Sequence, residues 1–536
     1  MNRILFSALL LGLGLGSAWA GAPTGAGGGQ AWPETPAKSR PRAGPKTVEP
    51  KTFRAVLEGA AMLTGATVDY WRTYENFRED WQFDLTWADQ RRRFFTAESP
   101  KLDSNAFWFN WSHALAGAGY YSLGRANGHG WGSAFLFSLG ASTLWEAVCE
   151  WREIISLNDM IFSSFGGPAI GEPFFQAASY FSRRRGALNR VAAFLSDPFL
   201  AVNNWLDVRK GPGANSAPAA GWHRFGFFAG MRGSSFPGAG TRSREFEIGL
   251  EAETVTVPGY GLEPAYRGSL SATLSSRISG GARFSPAGME EFAIRTRAVF
   301  FGRAWQSLRD AAPGGPVGWG GSVGFGMAFE VYRKRPVAWY DGSAEVPGGG
   351  PALSDARFER PTPTEFVDKM SVISPAGAVL AISRFAPKLH VRWTAGLFGD
   401  FGLINALAYN AFTANHDPAG VKSTLLNWGY YYGLGLTLGS DVLADWRRWH
   451  ATAAVRYQAY GSIQGQDRYQ FLGVVTDDFE IDDSRLAWRA GLAYRLPGTP
   501  VELGVNAEGV ERRGRLLEIR SRVLETGVSA RLEVVF

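Results

Sequence analysis

The sequence predicts an all-β transmembrane antiparallel barrel of about twelve strands, preceded by an N-terminal α-helical domain. Three observations predict it. Apolar and polar residues alternate with a period of two from Trp222 onward, a secretory leader opens the chain, and tight connections between strand patterns alternate with long polar ones.

The leader comes first along the chain. Met1-Asn2-Arg3 is a short basic region, Ile4 to Gly16 an apolar run, and Ala18-Trp19-Ala20 a small-x-small cleavage site, so residues 1–20 read as a signal peptide. Residues 21–51 are rich in Gly, Pro, Ala and Lys, with almost no large apolar residue. Such a stretch cannot offset its ordering entropy by burial and is expected to be a disordered tether.

Composition narrows the class. A hydrophobic content of 45% and a mean hydropathy of −0.12 exclude a helical membrane protein. The 67 Gly, 20 Trp, 17 Tyr and 37 Phe suit strands that bend into a barrel with aromatic girdles. The net charge of +6 is spread among acidic residues, not gathered in a basic block, which argues against nucleic acid and for phosphorylated lipid head groups of an outer membrane as partners. Cys149 is the only cysteine, so no internal disulfide forms.

Residues 52–210 read as the helical domain. Phe53–Trp71 carries Val56, Leu57, Ala60, Leu63 and Val68 at helical spacing, and Ser104–Leu123, Trp131–Ile154 and Asn158–Phe181 are further apolar runs. Each is interrupted by Gly, Pro or acidic residues, which fits helices packed on one another or on a barrel.

Residues 222–536 read as the barrel. In the last strand Val528, Ala530, Leu532, Val534 and Phe536 share one face, with Ser529, Arg531 and Glu533 on the other. Comparable patterns run through Leu486–Leu496, Trp449–Tyr457, Trp428–Leu438 and Leu389–Leu397. Others start near Phe225, Phe246, Tyr266, Phe292, Val323, Ala378 and Val501. The connections at 385–387 and 497–499 are tight, whereas those at 334–370, 402–425 and 462–483 are long and polar. This is the sorting expected of periplasmic turns and external loops.

The terminal Phe536, after alternating apolar residues, resembles the strand by which outer-membrane barrels are recognised by their assembly machinery. Tyr120-Tyr121, Gly124-Arg125-Ala126-Asn127-Gly128, Trp145-Glu146, Glu150, Asn158-Asp159, Gly166-Gly167, Gly171-Glu172 and Asn189-Arg190 resemble a bacterial envelope family catalogued only as a domain of unknown function. The resemblance implies an envelope location and no known reaction. Around Trp111-Ser112-His113 the chain departs from that family's pattern, so no family role passes to His113.

No H-E-x-x-H or Walker motif occurs, the six histidines form no i, i+4 pair, and neither metal nor cofactor is expected. The polar constellation to weigh is Glu146, Glu150 and Glu153 at i, i+4 and i+7, with Asp159 and Glu172 following and His113 and Arg125 within reach if the helices fold back. One reading is a carboxylate cluster serving as acid or base. The other is a solvated face, with Asp159 as a helix N-cap and Glu172 in capping or packing. In the barrel, alternation sends Arg392, Arg456, Arg489, Arg495, Glu502, Arg531 and Glu533 toward the lumen, where mixed charges either pair as a plug or line a narrow channel. The expected function is an outer-membrane barrel for solute passage or envelope scaffolding, its helical domain periplasmic or docked in the barrel. The alternatives are a lipid-modifying enzyme built on the carboxylate cluster and a partner-binding module.

Overall fold

A computed structural model describes residues 49–74, 86–96, 99–103, 106–151, 153–207, 217, 220–236, 241–311, 315–335, 368–413, 416–417, 420–466 and 478–536. The signal peptide and nearly all of the tether lie outside them, as do parts of the long loops.

The period-two region forms strands β1 (Trp222–Phe236), β2 (Thr241–Val255), β3 (Ala265–Leu270), β4 (Ser275–Ser285), β5 (Gly288–Ala311), β6 (Gly315–Lys334) and β7 (Asp368–Ala386). It continues through β8 (Leu389–Asn405), β9 (Tyr430–Trp446), β10 (Trp449–Ser462), β11 (Ile481–Arg495), β12 (Val501–Leu516) and β13 (Ile519–Val535). All pairings are antiparallel. β13 returns to β1, from Gly226 opposite Val535 to Ser235 opposite Thr526, and closes the sheet. Twelve strands therefore close the ring, and β3, which pairs only with the second half of β5 beyond β4, is not one of them.

The expected count holds, but its membership changes. The pattern near Tyr266 is only the six-residue β3, and the wall strand is β4, whose run of Ser and Gly hides the alternation of Ile278 and Ala282 with Arg277 and Arg283. Trp428 belongs to a short helix, and its strand begins at Tyr430. Loop sorting is also looser than expected. The chain end shares one rim with the tight 387–388, 447–448 and 496–500 turns, but the long 256–274 connection lies there too. The rim with the long loops also holds tight hairpins such as 286–287 and 517–518. Lys388, Arg447 and Leu517 take positive φ (61°, 56° and 52°) in two-residue hairpins, where strand twist demands it even of residues with a side chain.

The helical domain comprises α1 (Thr52–Tyr74), α2 (Trp87–Phe95), α3 (Phe107–Ala126), α4 (Trp131–Leu144), α5 (Leu157–Gly166), α6 (Glu172–Ser182), α7 (Ala187–Ser196) and α8 (Pro198–Leu206). Single π-helical turns at Trp145–Cys149 and Gly167–Gly171 end α4 and join α5 to α6. α9 (Tyr409–Thr413) and α10 (Ser423–Trp428) belong to the β8–β9 connection.

Which face of the wall meets the helices follows from register. Opposed residues share a face, and Ile278, Thr296, Phe329, Ile373, Phe401 and Leu434 form one row across β4 to β9. Their neighbours Arg277, Arg295 and Glu330 make ion pairs inside the ring, so this row points outward. Phe329, Ile373 and Phe401 are nevertheless buried, in one apolar cluster with Trp111 and Phe162 of α3 and α5. α6 packs likewise on outward Phe225, Ala252 and Ile278. Relative to exposure to water, burying each such aromatic stabilises by roughly 1.5–3 kcal/mol; against lipid the gain is packing alone. Beyond Tyr430 and Tyr432 of β9, which the helices still cover, Leu434, Leu438, Leu492, Val505 and Val528 of β9 to β13 are exposed.

Candidate functional site

The lumen is the first candidate. Every lumen residue expected from alternation has a charged partner across or along the wall. Arg392 meets Glu253 at 3.3 Å, Arg489 meets Glu251 at 2.7 Å, and Arg531 donates to Glu247 at 2.5 Å. Arg456 meets Glu330 at 2.8 Å and Arg495 meets Glu502 at 2.6 Å, while Arg224 joins Glu502 and Glu533 at 2.8 and 3.3 Å.

Both mouths are filled as well. At the rim with the chain end, the 256–264 segment turns inward. Gln306 Nε2 donates to the carbonyls of Gly259 and Glu263, and the Tyr260 hydroxyl bonds Ser383 on the far wall. At the other rim, Tyr409 and Phe412 of α9 are buried with Tyr332, Tyr431 and Tyr460, and Arg512 pairs with Asp368 and Asp483. Between these layers lies a cavity of about 250 Å3.

The second candidate is the polar interior of the helical domain, and glycine makes it possible. A Cβ on Gly117 would fall 1.8 Å from the Ser163 carbonyl oxygen, and one on Gly166 would fall 2.5 Å from Ala114 Cα, so α3 and α5 touch backbone to backbone. That contact aligns Asn110 with Asn158, whose Nδ2 donates to Asn110 Oδ1 at 2.9 Å and to Asp159 Oδ1 at 2.9 Å. The Tyr432 hydroxyl on the outward wall donates to Asn110 Oδ1, tying the helices to β9. His113 Nδ1 lies 3.3 Å from Asp159 Oδ1 and 2.8 Å from the Phe109 carbonyl oxygen. Glu146 accepts from the Ser156 backbone N–H at 2.9 Å, and burial, followed by Glu150 and Asp159, pushes its carboxyl well above the usual range.

The expected carboxylates thus separate in part: Glu146, Glu150 and Asp159 remain close enough to act on one another, while Glu172 lies elsewhere. The helix breaks at the π turn, so Glu146, Glu150 and Glu153 do not share a helical face. Glu150 accepts from Trp145 Nε1 at 2.9 Å and Glu153 from the Tyr70 hydroxyl at 2.6 Å. The N-cap of α5 is Ser156, which accepts from the Asp159 N–H, and not Asp159 itself.

Glu172 lies in another pocket, fully buried. It accepts from Arg125 Nε and Nη2 at 2.8 and 3.2 Å, Tyr121 at 2.8 Å, Gln176 at 2.7 Å and Thr273 at 2.5 Å. With that many donors its lone pairs are committed, and through Thr273 it clasps the helices to the β2–β4 connection. Sequence reasoning placed His113 and Arg125 near these acids but overlooked Asn110, Tyr430 and Tyr432. Asn110 carries no spacing signal, and both tyrosines fit an ordinary lipid-facing pattern.

Residues 99–199 match the model of a family described as a domain of unknown function, DUF3943. Comparison with the curated proteins gives no match. Among solved structures, the β domain of the Bordetella autotransporter BrkA is 12% identical, covering 59% of this chain and 100% of that one, with a TM-score of 0.21. The translocator domain of NalP from Neisseria meningitidis is 11% identical over 66% and 99% of the two chains, with a TM-score of 0.18. OmpT of Vibrio cholerae lacking loop L8, an outer membrane protein, is 6% identical over 58% and 99%, with a TM-score of 0.21. Scores this low carry no argument, and the barrel rests on its own strand pairing. The chain is a closed twelve-stranded antiparallel barrel carrying a domain of unknown function.

Proposed function

We propose that the protein is a non-conducting envelope scaffold, whose plugged barrel carries the helical domain against its outer wall, within the outer membrane. The single observation behind this is the outward row Phe329, Ile373 and Phe401, buried beneath helices instead of facing lipid. The helices' far sides support it. Leu136, Leu139, Leu144, Val191, Phe194 and Trp205 are exposed, which suits acyl chains and is unfavourable in water. No helix among the described residues is long and apolar enough to cross a membrane. In this reading the barrel supplies the span and the helices lie along it. The C-terminal strand, ending where the Phe536 N–H donates to the Phe225 carbonyl at 2.8 Å, is the segment through which the assembly machinery would take the chain.

The test places a fluorophore at Leu136→Cys or Leu436→Cys in a Cys149→Ser background and adds lipid-borne quencher to reconstituted vesicles. Equal quenching at both sites is expected. A Leu136 label quenched only by a water-soluble agent would refute the placement, and discrete conductance steps in planar bilayers would refute the scaffold.

A lipid-modifying enzyme is the second reading, favoured by the His113–Asp159 contact alone. It requires Asp159→Asn to change the membrane's lipid profile as deletion of the gene does.

A further inference from the structure

The 250 Å3 cavity is not neutral. Nine arginines and seven carboxylates line it, and the surplus is uneven. Arg295, Arg456 and Arg485 all converge on Glu330, at 2.6, 2.8 and 3.4 Å. Nearby, Arg277 and Arg297 share Asp441 at 3.2 and 3.5 Å. Arg277 also reaches Glu251 at 3.8 Å, which Arg489 holds at 2.7 Å, so six guanidiniums share three carboxylates. Three acids leave a surplus of cations inside the ring, where an uncompensated charge is costly.

The cations are also poised toward the space. Arg295 and Arg456 keep 34% of their side-chain surface open although both point inside the ring. Arg485 is buried, and its Nε has no hydrogen-bond partner.

We propose that this half of the lumen binds a small tetrahedral oxyanion of the phosphate class, held by Arg295, Arg456 and Arg297. Guanidinium forks match such oxygens in pairs, and the cavity has room for the ion and several waters. Because both mouths are filled, the ion enters as the barrel folds and stays. It completes the plug's charge balance instead of passing through. The inference rests on the lumen and not on where the helical domain lies.

The test refolds the full chain in detergent with inorganic phosphate, moves it into phosphate-free chloride buffer, then denatures it and measures the phosphate released. About one phosphate per chain is expected. The Arg295→Gln/Arg456→Gln variant should retain at least tenfold less while keeping heat-modifiable migration. Should that variant not fold, Arg297→Gln alone, which leaves the Glu330 cluster whole, is expected to lower retention at limiting phosphate at least threefold. A folded wild-type chain that releases no phosphate, a folded variant that retains as much as wild type, or phosphorus recovered only as phospholipid after refolding with lipid would each overturn the proposal.

Discussion

Glu172→Gln tests whether the helical domain is held to the barrel by a buried charge. Glu172 is fully buried, and Arg125, its bidentate partner, is itself mostly covered, so the substitution strands a guanidinium where water cannot reach it. Breaking a buried pair this way costs about 3–5 kcal/mol. The amide adds an NH2 facing groups that now donate: Arg125 has no acceptor to offer, and Tyr121, Gln176 and Thr273 must turn to accept. At roughly 1.4 kcal/mol per tenfold, local opening of α3 and α6 should rise about a hundredfold or more. Hydrogen exchange of amides in 107–126 and 172–182 reads this directly, while heat-modifiable migration shows that the barrel persists. The cycle is completed by Arg125→Met and the Arg125→Met/Glu172→Gln double variant, which should lose less than the sum of the single losses by about 2 kcal/mol or more. Unchanged exchange in Glu172→Gln, or a coupling below about 0.5 kcal/mol, would refute the reasoning.

Gly117→Val, which drives a side chain into the Ser163 backbone, should cost about 3 kcal/mol or more and loosen α3 from α5. Gly65→Ala on α1, with nothing within 4 Å, should stabilise by up to about 1 kcal/mol in the same denaturation assay. Asp197 caps α8 by accepting from the Leu200 N–H at 3.0 Å, yet burial pushes its carboxyl up to about 7 from 3.8. The folded state therefore holds its proton more tightly than the unfolded one. Stability is greatest below pH 4, falls by on the order of 4 kcal/mol as pH rises to 7, and is flat above. Asp197→Asn keeps the cap and should abolish that slope in urea titrations. A slope unchanged in the variant would assign it elsewhere.

The barrel was legible because alternation is local. A strand's inward and outward residues are separated by the pleat itself, so Arg392, Arg489 and Glu502 could be assigned to the lumen from parity alone. β4 escaped because Ser and Gly occupy much of it, and a strand held by its neighbours needs little signal of its own. The shared helical face of the carboxylates failed for a different reason. Helical spacing carried Glu146, Glu150 and Glu153 onto one face only by assuming an unbroken helix, and one π turn voids that assumption.

By itself, then, the sequence determined that a closed barrel of about twelve strands forms and which side chains point into it, since both follow from short-range periodicity. Only the tertiary structure decided which sector of the outer wall is covered. Phe329, Ile373 and Phe401 share a row and a pattern with Leu434, yet the first three are buried under α3 and α5 while Leu434 is exposed. Parity reports which side of the wall a residue is on. What lies against that side depends on backbone contacts between helices, such as Gly117 on Ser163, that no local period encodes.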